Sequence, residues 1–261
     1  MRLALFAVVS KPMNVRLFSM PGSHAATTGE LLFQQKGIEY KRTDLLPVVS
    51  WLVLKALRFP GVTVPAVKID GEPVQGTRAI ARALEARQPD PPLFPEDADL
   101  RRAVEDAERF GDEELQQRVR EIFLWSARKD HSGLVGYLEG AKIGMPHRLA
   151  AMTAGPFIAL DARSRGATDE NVCAAIAKLP QMLQRVDDWI AEGVLGGQAL
   201  NAADLQIGPS LRLAMSLDDL RPAIEGRPAG RLATRVVRRF PGRTPPVLPR
   251  EWLEPIAVAA T

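Results

Sequence analysis

Cysteine is nearly missing from this sequence: Cys173 stands alone among 261 residues. An internal disulfide is excluded, and a reducing compartment fits, so the expected location is cytoplasmic. Cys173 falls in an apolar helical stretch, where a buried structural thiol is the expected role. Histidine is scarce too. His24, His131 and His147 lie far apart and no His/Cys cluster has ligand spacing, which excludes a structural zinc site; no metal is expected. No run approaches the ~20 apolar residues that span a bilayer, so no membrane partner is expected. The apolar run over residues 3–9 follows Arg2 but is short and lacks a small-residue cleavage site. Residues 1–12 read as an N-terminal extension, with Met13 as an alternative start.

Acid is missing from one region. After Gly226 and up to Arg250 there are seven arginines and no Asp or Glu, although the whole chain carries a net charge of only +3. Arg227, Arg231, Arg235 and Arg239 recur at i, i+4 spacing, a basic helical stripe. A stripe of this kind either binds an anionic ligand or nucleic acid, or is a solvated helix face. Only Phe240 interrupts it with an aromatic ring and arginine dominates the basic residues throughout, so the solvated face is the expectation, with no nucleic-acid partner.

What remains is ordinary globular composition, 46% hydrophobic and 25% charged. The first third alternates strand and helix signals. Residues 15–19 form a strand, broken by Pro21-Gly22-Ser23. A helix over 25–36 ends at Gly37, a fitting C-cap. Residues 38–45 read as a strand, 48–57 as an apolar helix and 64–69 as a strand. Asp70-Gly71 turns the chain into a short return strand over 73–75. Thr77 then caps a helix with Ala79, Ile80, Ala83 and Leu84 on one face. The order is β-α-β-α-β-β-α over residues 13–88. Residues 89–97, rich in proline, form a linker. Residues 98–240 read as all helical: a long charged helix over 99–128, another over 146–163, and a core helix carrying Val172, Ile176, Leu179, Leu183, Val186 and Ile190, kinked or broken at Pro180. Asn201 caps a further helix with Asp204 in its first turn. The prolines after Phe240 predict an extended tail over 241–261.

Four motifs in this layout resemble the glutathione S-transferase family over residues 13–224. Phe18-Ser19-Met20-Pro21-Gly22-Ser23 is similar to the family's first strand-to-helix turn, with Ser23 at the place of the catalytic serine in serine-type bacterial members. Val64-Pro65 is similar to the family's Val-Pro pair, whose proline is cis. Val74-Gln75-Gly76-Thr77-Arg78-Ala79-Ile80 resembles the segment that holds the glutamyl end of glutathione, and Asn201-Ala202-Ala203-Asp204 the capped core helix of the second domain. The resemblance implies a thioredoxin-like α/β domain followed by an all-α domain. It also implies a homodimer, a detoxifying role, and glutathione as co-substrate bound by Val64, Pro65, Gln75, Gly76 and Thr77. Gly76 departs from the pattern, since members usually carry Glu or Gln directly before the Ser/Thr.

The residues supply matching chemistry. A thiol must ionise to attack, and a hydroxyl at a helix start favours the thiolate by hydrogen bond and dipole. Ser23 has that position; taken alone it is equally a plain N-cap. His24 beside it has no acid to orient it and reads as a loop residue. The front half holds no cysteine, which disfavours disulfide chemistry. Arg109 and Phe110, with Phe123 and Trp125 on the same helix, are the candidates for the electrophile pocket. The expected reaction is thiolate attack on a small apolar electrophile, or thiol-assisted isomerisation or reductive cleavage. The alternatives are a non-catalytic ligand-binding or protein-interaction scaffold on the same fold, or an enzyme using a different thiol.

Overall fold

The computed structural model describes residues 13–258. The expected extension over 1–12 lies outside the described residues. The front half runs β1 (Val15–Ser19), α1 (His24–Lys36), β2 (Lys41–Asp44), α2 (Pro47–Ala56), β3 (Ala66–Ile69), β4 (Glu72–Gln75) and α3 (Thr77–Arg87). Among the described residues the strands form one mixed sheet in the order β2-β1-β3-β4, with β1 parallel to β2 and antiparallel to β3. Side chains alternate across it. Val15 and Leu17 join the large core under α1 and α3, while Phe18 joins Leu45, Leu54, Phe59 and Ala66 under α2.

β2 starts later than the sequence suggests. Gly37 turns left-handed at φ 64°, and the Ile38 amide bonds back to Phe33 O at 3.0 Å, so Ile38 closes α1 instead of opening a strand.

The back half is helical: α4 (Ala98–Phe110), a π-helical turn (Gly111–Leu115), α5 (Gln116–Lys129), α6 (Leu134–Tyr137), α7 (His147–Thr153), α8 (Gly155–Ser164), α9 (Asp169–Ala191), α10 (Ala202–Ser216), α11 (Arg221–Glu225), α12 (Pro228–Val236) and α13 (Arg250–Val258). The π turn sits where α10 crosses closely: a Cβ on Gly111 would stand 2.9 Å from Gln206 and Ile207 side-chain atoms. α9 runs through Pro180 without a break, because Val172, Ile176, Leu179, Leu183 and Val186 bury one continuous face. The tail is not wholly extended, since α13 packs against α9 and the Trp252 ring lies tilted against Trp125 at 5.1 Å. Cys173 is half-buried in α9 and not fully enclosed. Among the described residues no helix is long and apolar enough to cross a membrane.

α10 is the element on which both halves rest. It is buried along nearly its whole length and packs on α1, α4, α5 and α12. Its start is a complete capping box. Asn201 Oδ1 accepts from the amides of Ala203 (3.0 Å) and Asp204 (3.1 Å), and Asp204 accepts from the amides of Asn201 (3.0 Å) and Gly196 (2.8 Å). The linker is fixed at a second node. The Lys36 ammonium, fully buried, donates to the carbonyls of Gln88 (2.7 Å), Pro89 (2.9 Å) and Pro91 (2.7 Å) and pairs with Glu85. Glu85 in turn accepts from the amides of Leu93 and Phe94.

Candidate active site

β1 delivers the chain to a tight turn. The Ser23 amide bonds to Met20 O at 3.1 Å, and Gly22 takes φ 71°, a conformation that suits glycine. A side chain at Gly22 would press on Tyr137 Cβ at 3.0 Å, so the turn lies against α6. Ser23 is the N-cap of α1: its Oγ accepts from the Ala26 amide at 3.2 Å, which leaves the hydroxyl proton to donate outward. No acid stands in the first turn of α1, so the helix start keeps its positive end.

His24 is the first residue of α1, not a loop residue, and it is buried. Among the described residues neither ring nitrogen has a partner. Burial holds its pKa well below 6.5, and the nearby Arg120 and Arg165 push the same way. The ring is a neutral packing group.

On the other side of α1 lies the Val64–Pro65 bond, which is cis. Gly29 lets α1 close on that proline, since a Cβ there would stand 3.0 Å from Pro65 Cβ. Among the described residues the backbone N–H and C=O of Val64 have no hydrogen-bond partner, which leaves a short stretch of open strand edge.

The start of α3 is open as well. Gly76, not Thr77, is the N-cap, at φ 88°, and no side chain caps the helix. That φ accounts for glycine where the family pattern has a larger residue. Thr77 is the first helical residue, buried, and its hydroxyl has no partner among the described residues. Gln75 is committed elsewhere. Its Oε1 accepts from the Gly61 amide at 2.5 Å and its Nε2 donates to Thr63 O at 2.6 Å, so it clamps the loop between α2 and β3.

A cavity of about 470 Å³ opens beside Ser23, walled by the turn, by α1 and Arg42, and by the segment after α12, including Arg238, Arg239 and Phe240. Val64, Gln75 and Thr77 do not line it. Inside the wall, Glu30 accepts from Ser19 Oγ at 3.1 Å and from Arg42 at 3.3 Å; burial raises its pKa, and Arg42 and Ser19 partly oppose that rise. The structure brings Ser23 into this cavity and leaves Arg109 and Phe110 out of it. Arg109 faces water and pairs with Asp106 at 3.0 Å. Phe110 packs edge-on against Trp189 at 5.3 Å and borders a separate cavity of about 310 Å³ with Glu113, Arg118 and Lys178. Trp125 is core, its indole bonded to Asp169 at 2.8 Å, and Phe123 packs on Tyr137. The reason is the turn of the long helix: the aromatics that share its spacing spend their faces on α9, α13 and α6. The sequence did mark the arginine stripe, but not that the fold carries its end to Ser23.

A four-stranded thioredoxin-like sheet with a serine-capped first helix, joined to an all-helical domain, is the architecture of the glutathione S-transferases. Residues 17–92 match the family model of the glutathione S-transferase N-terminal domain. No curated protein matches the chain. Among solved structures, maleylacetoacetate isomerase from Anaeromyxobacter dehalogenans 2CP-1, with glutathione bound in its active site, is similar at 20% identity and TM-score 0.57, over 95% of each chain. A glutathione S-transferase from Methylobacterium radiotolerans JCM 2831, in complex with glutathione sulfonate, is similar at 17% identity and TM-score 0.58, over 91% of this chain and 99% of the other. Glutathione transferase F7 from Populus trichocarpa is similar at 12% identity and TM-score 0.61, over 95% and 99%. At these identities the likeness shows the fold.

Proposed function

We propose that this protein is a glutathione-dependent enzyme in which Ser23 stabilises the thiolate. The observation that carries the reading is the buried Thr77 hydroxyl, without a partner among the described residues, at the uncapped start of α3. Unsatisfied N–H groups at a helix start and a spare hydroxyl fit a carboxylate such as that of a glutamyl group. The open backbone of Val64 fits the cysteinyl part of an extended peptide, which pairs with it as one more strand. Ser23 then donates its hydroxyl proton to the sulfur. The thiol proton leaves to solvent, and the thiolate forms a C–S bond at an electrophilic carbon as the leaving group departs with its electron pair or, in an addition, as a π bond opens and the adjacent carbon takes a proton from solvent. The solved relatives that hold glutathione or its sulfonate support the choice of thiol.

Calorimetric titration with reduced glutathione tests this. We expect saturable one-to-one binding, weakened about tenfold by Thr77→Ala, the loss of one charge-assisted hydrogen bond. No binding at millimolar ligand would sink the glutathione assignment. Ser23→Ala should lower kcat/KM about 100-fold, as removal of a donor to a developing anion does. The substitution should also cost about 1 kcal/mol of stability as a lost N-cap.

A second reading has its own support. Gly76 offers no side chain and the Gln75 amide is engaged, so the α-amino group of glutathione would meet neither. A thiol without that group fits the same site, and parallel titrations with glutathione and with a simple acidic thiol such as mercaptopropionate separate the two. We also propose a homodimer. Leu149, Met152 and Leu160, which α7 and α8 leave exposed, support it; light scattering at micromolar concentration that returns the 28.5 kDa monomer mass would overturn it.

A further inference from the structure

The arginine stripe resolves into individual duties. Arg227 pairs with Asp187 at 2.8 Å. Arg231 donates to Gly226 O at 2.9 Å. Arg235 binds the carbonyls of Gly196 (2.9 Å), Gly197 (2.6 Å) and Gln198 (2.7 Å). Arg239 pairs with Glu139, and Arg243 with Asp218 at 2.7 Å. Arg238 breaks the pattern: among the described residues it has no hydrogen bond and no ion pair, and it lines the cavity beside Ser23.

The other arginines on that wall have their donors engaged. Arg42 is held by Asp44 at 2.6 Å and by Glu30, Arg239 by Glu139, and Arg235 by three backbone carbonyls. Among the described residues, the guanidinium on this wall whose donors remain free is therefore that of Arg238. Its backbone is fixed from both sides. Before it, the Val237 amide bonds back to Ala233 O at 2.9 Å. After it, Tyr137 holds Thr244 by its hydroxyl at 2.9 Å, and the Thr244 amide bonds Ser216 O at 2.8 Å. Asp219 accepts from the amides of Val247 (2.8 Å) and Leu248 (2.9 Å). Between these anchors Gly242 passes flat over the Tyr137 ring, where any side chain would collide. A cation held on a fixed segment loses little freedom when it takes an anion. Phe240, half-buried on the same wall, offers an apolar surface beside it.

We propose that Arg238 binds a carboxylate on the second substrate, so that the electrophile of this site is an organic acid with an apolar body. The proposal rests on the thiol-transfer reading and narrows it, since an apolar electrophile alone would leave Arg238 unused. The guanidinium forms a fork of N–H donors that suits a carboxylate.

Two aryl chlorides test it with glutathione: 4-chloro-3-nitrobenzoate and its methyl ester. In each the sulfur attacks the ring carbon, the C–S bond forms, the C–Cl bond breaks, chloride leaves and the thiol proton passes to solvent. Rates are divided by the uncatalysed rate of each compound, because the ester is intrinsically more reactive. The wild type should favour the carboxylate about tenfold, and Arg238→Gln should erase that ratio. High salt should shrink the ratio in the wild type. A ratio that Arg238→Gln leaves unchanged, or a wild type that favours the ester, would overturn the proposal. If neither chloride reacts, the transferase reading fails on its own. Calorimetry with 4-chloro-3-nitrobenzoate alone then decides the anion site: saturable binding lost in Arg238→Gln sustains it, and absence of binding overturns it.

Discussion

The starts of α10 and α3 are both helix N-termini next to glycines, and they are built in opposite ways. At α10 the first amides meet Asn201 Oδ1, and the Asp204 carboxylate closes two more donors. At α3 no side chain caps the helix and Thr77 brings a buried hydroxyl that nothing among the described residues meets. One start is finished by the chain itself; the other is left open by the described residues. Burial of an unpaired polar group costs on the order of 1–3 kcal/mol. The fold therefore carries at α3 a cost that it avoids at α10, and that difference is what the proposed glutathione site rests on.

The two starts should respond oppositely to truncation. Asp204→Ala leaves two amides without acceptors and should cost about 3 kcal/mol or more in urea unfolding. A loss below 1 kcal/mol would break the comparison. His24, at the start of α1, gives a pH-dependent case. Its folded pKa lies well below 6.5, so below pH 6.5 the unfolded chain takes up a proton that the folded chain refuses. Stability should fall with pH there, by up to about 1.4 kcal/mol per unit, and be flat above. Glu30, Glu108, Asp112 and Asp204 have raised values and act in the opposite sense at lower pH. The readout is thus the stability difference between wild type and His24→Leu, which should be constant above pH 6.5 and shift against the wild type between pH 6.5 and pH 5. Smallest of all, Thr77→Ala should stabilise the fold by about 1 kcal/mol or less, because it removes an unpaired buried hydroxyl and gives up one buried methyl, while its effect on the titration with glutathione remains.

The front half was legible because its signals are local. Gly37, Asp70-Gly71 and the alternation across β1 need no distant partner to act, and Asn201 with Asp204 writes a complete cap within four residues. Ser23 was legible as an N-cap for the same reason. The cap of α3 was misassigned to Thr77, because a hydroxyl beside a helix suggests a cap, whereas the positive φ of Gly76 is a backbone property that residue type only permits. Gln75 was unreadable as a loop clamp, since its partners Gly61 and Thr63 lie a loop away. The pocket was the hardest part. Arg109 and Phe110 lie on a helix that does not line the cavity beside Ser23, and Arg238 joins its wall only through the packing of the second domain. Such contacts depend on packing between distant segments, which periodicity does not encode.

The Lys36 node has a mechanical consequence. Ser23 and Lys36 stand at opposite ends of α1, a rod of 13 residues and about 20 Å. One end aims a hydroxyl; the other is bolted by three carbonyls to the hinge between the halves. The tilt of the rod, and with it the direction of the serine, is set from the foot. Damage to the proline-rich connector would be felt at the far tip, in a crevice that no connector residue touches.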